Sequence, residues 1–188
     1  VVCVLVDLHM EDAAASAGVV TLRFDYDATG DSAGDLLAVG QWESWQQSVR
    51  EAVAAARSAA GTERVALIGF RLGGTIAALA ANGLNGPVDL ALVAPIDDGR
   101  RWARELRALR GAMGRAEGGG NDTAVDGIGI VFPAEAHERI AQTQLAKAVP
   151  NGVGRWLLLQ RDDRPVSDDF ANAIRDAGQT VEQRVVPG

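Results

Sequence analysis

The stretch "VALIGFRLGGTIAALA", Val65–Ala80, decides the fold. Its first residues form a short continuous apolar run, the signature of a strand covered on both faces. Its last residues, Gly74 to Ala80, are small or aliphatic and read as a tightly packed helix. Between the two, Gly69, Gly73 and Gly74 surround Arg71 and Leu72. That spacing predicts a sharp strand-to-helix corner with close backbone approach, which glycine permits.

Working outward, the same alternation repeats. Upstream, "VVCVLV" (Val1–Val6) and "VVTLRFD" (Val19–Asp25) read as strands, and "EDAAASAG" between them as a short helix ended by Gly18. "DYDATGDSAGD" (Asp25–Asp35) is loop chemistry, dense in Asp, Gly and Ser. From Gln41 to Ala60, Trp42, Trp45, Val49, Val53 and Ala56 recur at helical spacing, and Gly61 ends the helix. Downstream, "VDLALVAP" (Val88–Pro95) is a strand. "DDGRRWARELRALRGAMG" is a basic amphipathic helix for which Asp97 or Asp98 is the cap. "GRAEGGGNDTAVDG" (Gly114–Gly127) reads as a loop and "IGIVF" as a short strand. Pro133 then opens a helix running to Val149 with Pro at its first position. "GRWLLLQ" (Gly154–Gln160) is a core strand, Asp168–Ala177 a helix stopped by Gly178, and "TVEQRVV" the last strand.

Strands alternating with helices imply an α/β chain with a mostly parallel sheet and helices on both faces. Residues 1–188 read as one domain. The part from Asn121 to Val149 breaks the alternation and is expected to form a small cap or flap insertion. The chain starts at Val1, already inside a strand, and stops at "VVPG" directly after another. Both edges are therefore expected to be cut from something longer.

Composition narrows the function classes. With 188 residues, 47% hydrophobic and 23% charged, the chain has enough apolar content for a real core. A formal net charge of −7 argues against nucleic acid or an anionic membrane as the main partner. No apolar run approaches the roughly 18 residues that cross a bilayer. The single cysteine, Cys3, excludes an internal disulfide and fits a reducing compartment such as the cytoplasm. His9 and His137 lie far apart, so no metal site is expected. The glycine cluster has neither a following Lys-Ser/Thr nor the dinucleotide spacing, so no nucleotide cofactor is expected.

At two stretches the residues resemble the α/β-hydrolase superfamily, specifically its serine-aminopeptidase-like branch and the hydrolases associated with exosortase systems. "LRFDYDATGDSAGD" is similar to the loop after that fold's fourth strand. "ALIGFRLGGTIAALA" is similar to its nucleophile elbow, where the pattern is Gly-x-Ser-x-Gly. The resemblance implies a nucleophile, an acid and a His in that chain order, with backbone N–H groups holding the oxyanion. Carried over residue by residue, the nucleophile position is Arg71. The acid falls in "LLLQRDDRPV", at Asp163 or next at Asp162. The His expected after "TVEQRVV" is absent, and His137 falls in the flap. One oxyanion donor is the backbone N–H of Leu72, beside Gly73. The other belongs to the short segment after the first strand, which contains His9.

Arginine cannot attack a carbonyl: its guanidinium stays protonated and offers no nucleophilic lone pair. Three readings of Arg71 are open: an ion pair with Asp162 or Asp163 filling the former triad space, a ligand site for a carboxylate or phosphate beside a helix N-terminus, or a solvent-facing residue at a corner that has lost its chemistry. Ser32 and Ser167 read as loop serines. Trp42 and Trp45 read as core or cap packing, and the arginines after Asp98 as a solvated helix face. The expectation is a degenerate ester or peptide hydrolase. The alternative is a small-anion-binding or protein-interaction module on the same scaffold, with a small anionic or acyl-type molecule as partner.

Overall fold

The computed structural model describes residues 2–6, 16–113, 124–126, 131–162 and 167–187. Eight strands are present among them: β1 (Val2–Val6), β2 (Val20–Arg23), β3 (Val65–Phe70), β4 (Val88–Val93), β5 (Ala124–Asp126), β6 (Val131–Pro133), β7 (Val153–Arg161) and β8 (Val181–Val186). The helices are α1 (Gln41–Ala60), α2 (Leu72–Ala81), α3 (Gly99–Ala112), α4 (Ala134–Gln142) and α5 (Asp168–Asp176), with a 3-10 turn at Leu145–Lys147. Six strands form one sheet in the order β2-β1-β3-β4-β7-β8. Every pairing in it is parallel. β5 and β6 make a separate antiparallel pair.

The parallel sheet follows from the strands' composition. In β3 and β4, alternate residues are fully buried and the intervening ones half-buried, so neither face is open to water. α2 explains why its sequence is so poor in large residues. Eight of its ten residues are buried, from Gly73 through Ala81 with Leu79 excepted. A Cβ on Gly69 would lie 2.5 Å from the Cα of Gly74, so strand and helix meet backbone to backbone. Large side chains have no room there.

Trp42 and Trp45 are each only 4% exposed and belong to the core. They meet edge to face, with ring centroids 6.3 Å apart. On the other flank, Trp156 of β7 packs edge to face on Phe170 of α5 at 5.8 Å. Its indole N–H donates to Gln179 Oε1 at 2.8 Å. Removing a buried aromatic of this kind costs about 3–5 kcal/mol. No helix among the described residues is long and apolar enough to cross a membrane.

The helix ends fall where the sequence puts them at Gly61 (φ 59°) and Gly178 (φ 74°). Two helix readings are corrected. Pro133 is the last residue of β6 and precedes α4 rather than forming its first turn. The helix expected to reach Val149 stops at Gln142, because Thr143 turns extended (φ −69°, ψ 132°). Tertiary hydrogen bonds take over at that point: Gly99 N–H donates to Thr143 O at 2.9 Å and Leu145 N–H to Asp97 O at 2.9 Å. A short antiparallel bridge between Asp98 and Gln144 results. The loop read at 114–127 is corrected in part, because Ala124–Asp126 pair with Val131–Pro133 as a strand; the rest of it, and most of the helix read before Gly18, lie outside the described residues.

Candidate functional site

All six sheet strands point the same way, so the residues following β3, β4 and β7 converge on one edge of the sheet. In open parallel sheets this carboxyl edge is where ligands bind. Arg71 occupies the corner between β3 and α2 with φ 50° and ψ −120°. A non-glycine residue in that region stores about 1–3 kcal/mol of strain and persists only when its surroundings over-determine it. They do so here. The N–H of Arg71 donates to Val93 O at 2.9 Å, and its carbonyl accepts from Thr75 N–H at 3.3 Å. Its Nη1 donates to Ala94 O at 3.3 Å. Ala94 is itself at φ 43°, so two left-handed residues sit side by side at the ends of adjacent strands.

Thr75 locks the corner from within. Its hydroxyl accepts from Ile96 N–H at 2.9 Å and lies 3.0 Å from Ile96 O and 3.3 Å from Arg71 O. One fully buried hydroxyl thus ties α2 to the segment after β4. Leu72 and Gly73 begin α2, Gly73 being buried and Leu72 half-buried.

Arg71 borders a cleft of about 500 Å³, with Pro95 and Ile96 on one side and Trp102, Glu105 and Leu109 of α3 on the other. Asp97 and Arg101 close it. The Asp97 side chain is wholly buried. One of its carboxylate oxygens accepts from Arg101 Nη2 and the other from Ser167 N–H at 2.7 Å. Asp98 is the cap of α3, accepting from Arg100 N–H at 2.9 Å and Arg101 N–H at 3.1 Å. The adjacent pair Asp97-Asp98 therefore divides into a buried clamp and a helix cap. Sequence reading treated the two as interchangeable. The weak available signal was a second acid directly after a strand and four residues before an arginine.

Asp162 follows β7 on the same edge; it is exposed, and its N–H donates to Val186 O at 3.1 Å. Asp163 and His9 lie outside the described residues. His137 sits on α4, half-buried, with its ring 5.3 Å from Trp102. Burial first, then the charges of Arg110 and Arg107, holds its imidazole below the usual histidine value. The loop after β2 is fastened to α1 through Asp27. Its carbonyl accepts from Gln41 Nε2 at 2.8 Å and Trp45 Nε1 at 3.2 Å, and its carboxylate from Ser44 Oγ at 2.8 Å. Ser32 Oγ donates to Asp25 O at 3.0 Å within that loop, as a loop serine does.

No protein-family model matches the chain, and nothing among curated proteins does. Solved structures do. A putative hydrolase from Agrobacterium vitis matches with a TM-score of 0.63 at 20% identity, covering 100% of this chain and 79% of that one. Est1E from Butyrivibrio proteoclasticus, with ferulic acid bound, matches at 0.64 and 17% identity over 100% and 79%. Alpha/beta hydrolase domain-containing protein 10 from mouse matches at 0.59 and 16% identity over 99% and 80%. At these identities the likeness establishes architecture: the chain has the α/β-hydrolase fold.

Proposed function

We propose that the chain keeps the scaffold of an ester- or peptide-cleaving hydrolase of serine-aminopeptidase-like kind and does not run its serine chemistry. The observation that carries this reading is the occupant of the strained corner. The fold presents a nucleophile from the bend between its central strand and the following helix, and here that bend holds Arg71. A guanidinium at that point cannot form an acyl intermediate. The cleft supports the same reading. Among the described residues lining it there is no hydroxyl, thiol or imidazole. Asp162 and Asp163 are then relics of the acid, and the Leu72 N–H, Gly73 and the His9 segment relics of the oxyanion site.

Incubation with short p-nitrophenyl esters and a fluorophosphonate probe tests this. The expected outcome is background turnover and no covalent label. Labelling that reaches one probe per chain overturns it.

A second reading has support from the placement of Arg71 at the head of α2 and on the cleft, with Arg101 also bordering it. The cleft then holds a small carboxylate or acyl phosphate. Thermal shifts with such ligands that vanish in Arg71→Ala support this reading, and equal shifts in both proteins reject it.

A further inference from the structure

Three arginines of α3 do not line the Arg71 cleft. Arg100, Arg104 and Arg107 recur at i, i+4 and i+7, and all three are exposed. That spacing stacks them along one helix face. They border a shallow cleft of about 550 Å³ whose other wall includes Gln144. A second cleft, of about 520 Å³, shares Arg100 and Gln144 with the first and adds Arg139 and Lys147. The two adjoin at those shared residues, and the trough they form together has five cations on its walls, out of 18 Lys and Arg in a chain of net charge −7. Among the described residues that line the two clefts Asp98 is the one carboxylate, and it is engaged by the N–H groups of Arg100 and Arg101. Arg139 meets Glu43 at 2.6 Å, with both side chains about half exposed. An exposed pair of this kind is worth little and exchanges readily.

Like charges at i, i+4 repel one another by a few tenths of a kcal/mol. An acidic partner removes that repulsion. The geometry also selects the partner's shape. Arg100 and Arg104 are about 6 Å apart along the helix axis. Alternate side chains of an extended peptide share a face and are spaced by roughly 6.6 Å. A duplex or a membrane plane would extend past the trough onto the remaining surface, which carries the negative surplus of the chain. A single extended strand of peptide meets only the trough.

We propose that the trough between α3 and the segment after α4 docks an extended acidic segment of a partner protein, with carboxylates at alternate positions facing Arg100 and Arg104. Arg107 lies further along the same face, and Arg139 and Lys147 line the adjoining cleft. This surface is separate from the Arg71 corner, so it stands whether or not the cleft there binds anything.

Fluorescence anisotropy of the full chain with a labelled peptide of alternating Glu and Ser tests the proposal, with a Lys-Ser peptide as control. The Glu-Ser peptide is expected to bind at low salt and to weaken by about tenfold or more near 0.3 M salt. Arg100→Glu/Arg104→Glu, and the milder Arg100→Gln/Arg104→Gln, are expected to lose about tenfold or more in affinity with an unchanged melting temperature. Arg184→Gln, on the exposed face of β8, is expected to leave it unchanged. Absence of binding at low salt overturns the proposal, as does an equal loss in Arg184→Gln. Tighter binding of single-stranded DNA or phosphatidylserine vesicles through Arg100 and Arg104 overturns it too.

Discussion

Strand β4 carries one carboxylate at its entry and another just past its exit, and their surroundings are opposite. Asp89, at the entry, is 17% exposed in its side chain and is held by Arg155 Nη2 at 2.8 Å and Arg64 Nη2 at 3.3 Å. Both arginines are mostly in water. Asp97, at the exit, is 0% exposed and spends its oxygens on one arginine and one backbone N–H. The entry end of the sheet is stapled by solvated ion pairs of small value. The exit end buries its polar groups and holds two residues at positive φ. Strain and buried charge are thus concentrated on the edge where the cleft lies, as expected where backbone geometry has been shaped for a task.

Substitutions at the two ends test the difference. The largest effect is expected at Asp97. Asp97→Ala leaves Ser167 N–H without its acceptor and strips Arg101 of its partner, a loss of about 2–3 kcal/mol in urea unfolding. A loss no larger than that of the matching change at Asp89 would erase the contrast. Next comes the corner itself. Arg71→Val forces a β-branched residue into a left-handed conformation and is expected to cost about 2 kcal/mol, whereas Arg71→Gly relieves strain while losing a hydrogen bond and stays within about 1 kcal/mol of the parent. Equal destabilisation by both changes would mean that the backbone at residue 71 is not strained.

The smallest effect is expected at Asp89. Burial raises its carboxyl, but the hydrogen bonds and charges of Arg155 and then Arg64 outweigh it, so the balance lies below the usual Asp value. A depressed carboxyl contributes stability that is complete above the unfolded value, about 4, and is lost as pH falls through the lower folded value. Asp89→Asn is expected to cost less than about 1 kcal/mol at neutral pH, and its difference from the parent is expected to close below about pH 4. A gap that persists at pH 2 would remove the ionic account.

Much of the fold was legible because it rests on local signals. Apolar runs marked the strands, the Trp42 to Ala56 spacing marked α1, and the glycines at 61 and 178 marked helix ends. The α3 cap was narrowed to two neighbours and no further, since only tertiary contact separates Asp97 from Asp98. The end of α4 was misplaced for a related reason. Residues 143–149 carry helical periodicity, but the backbone groups of Asp97 and Gly99 draw the chain away from it, and nothing local records that competition. At the site, the bend at Arg71 was readable from its glycines. The grip of Thr75 on Ile96 was not, although a lone threonine in an otherwise apolar helix was its trace.

The contact of Gly69 with Gly74 has a consequence for residue 71. Because strand and helix touch main chain to main chain at those two glycines, their close approach does not depend on the side chain that projects from residue 71. Position 71 behaves as a socket. Exchanging the arginine for a serine or a glycine is therefore expected to leave the mount in place.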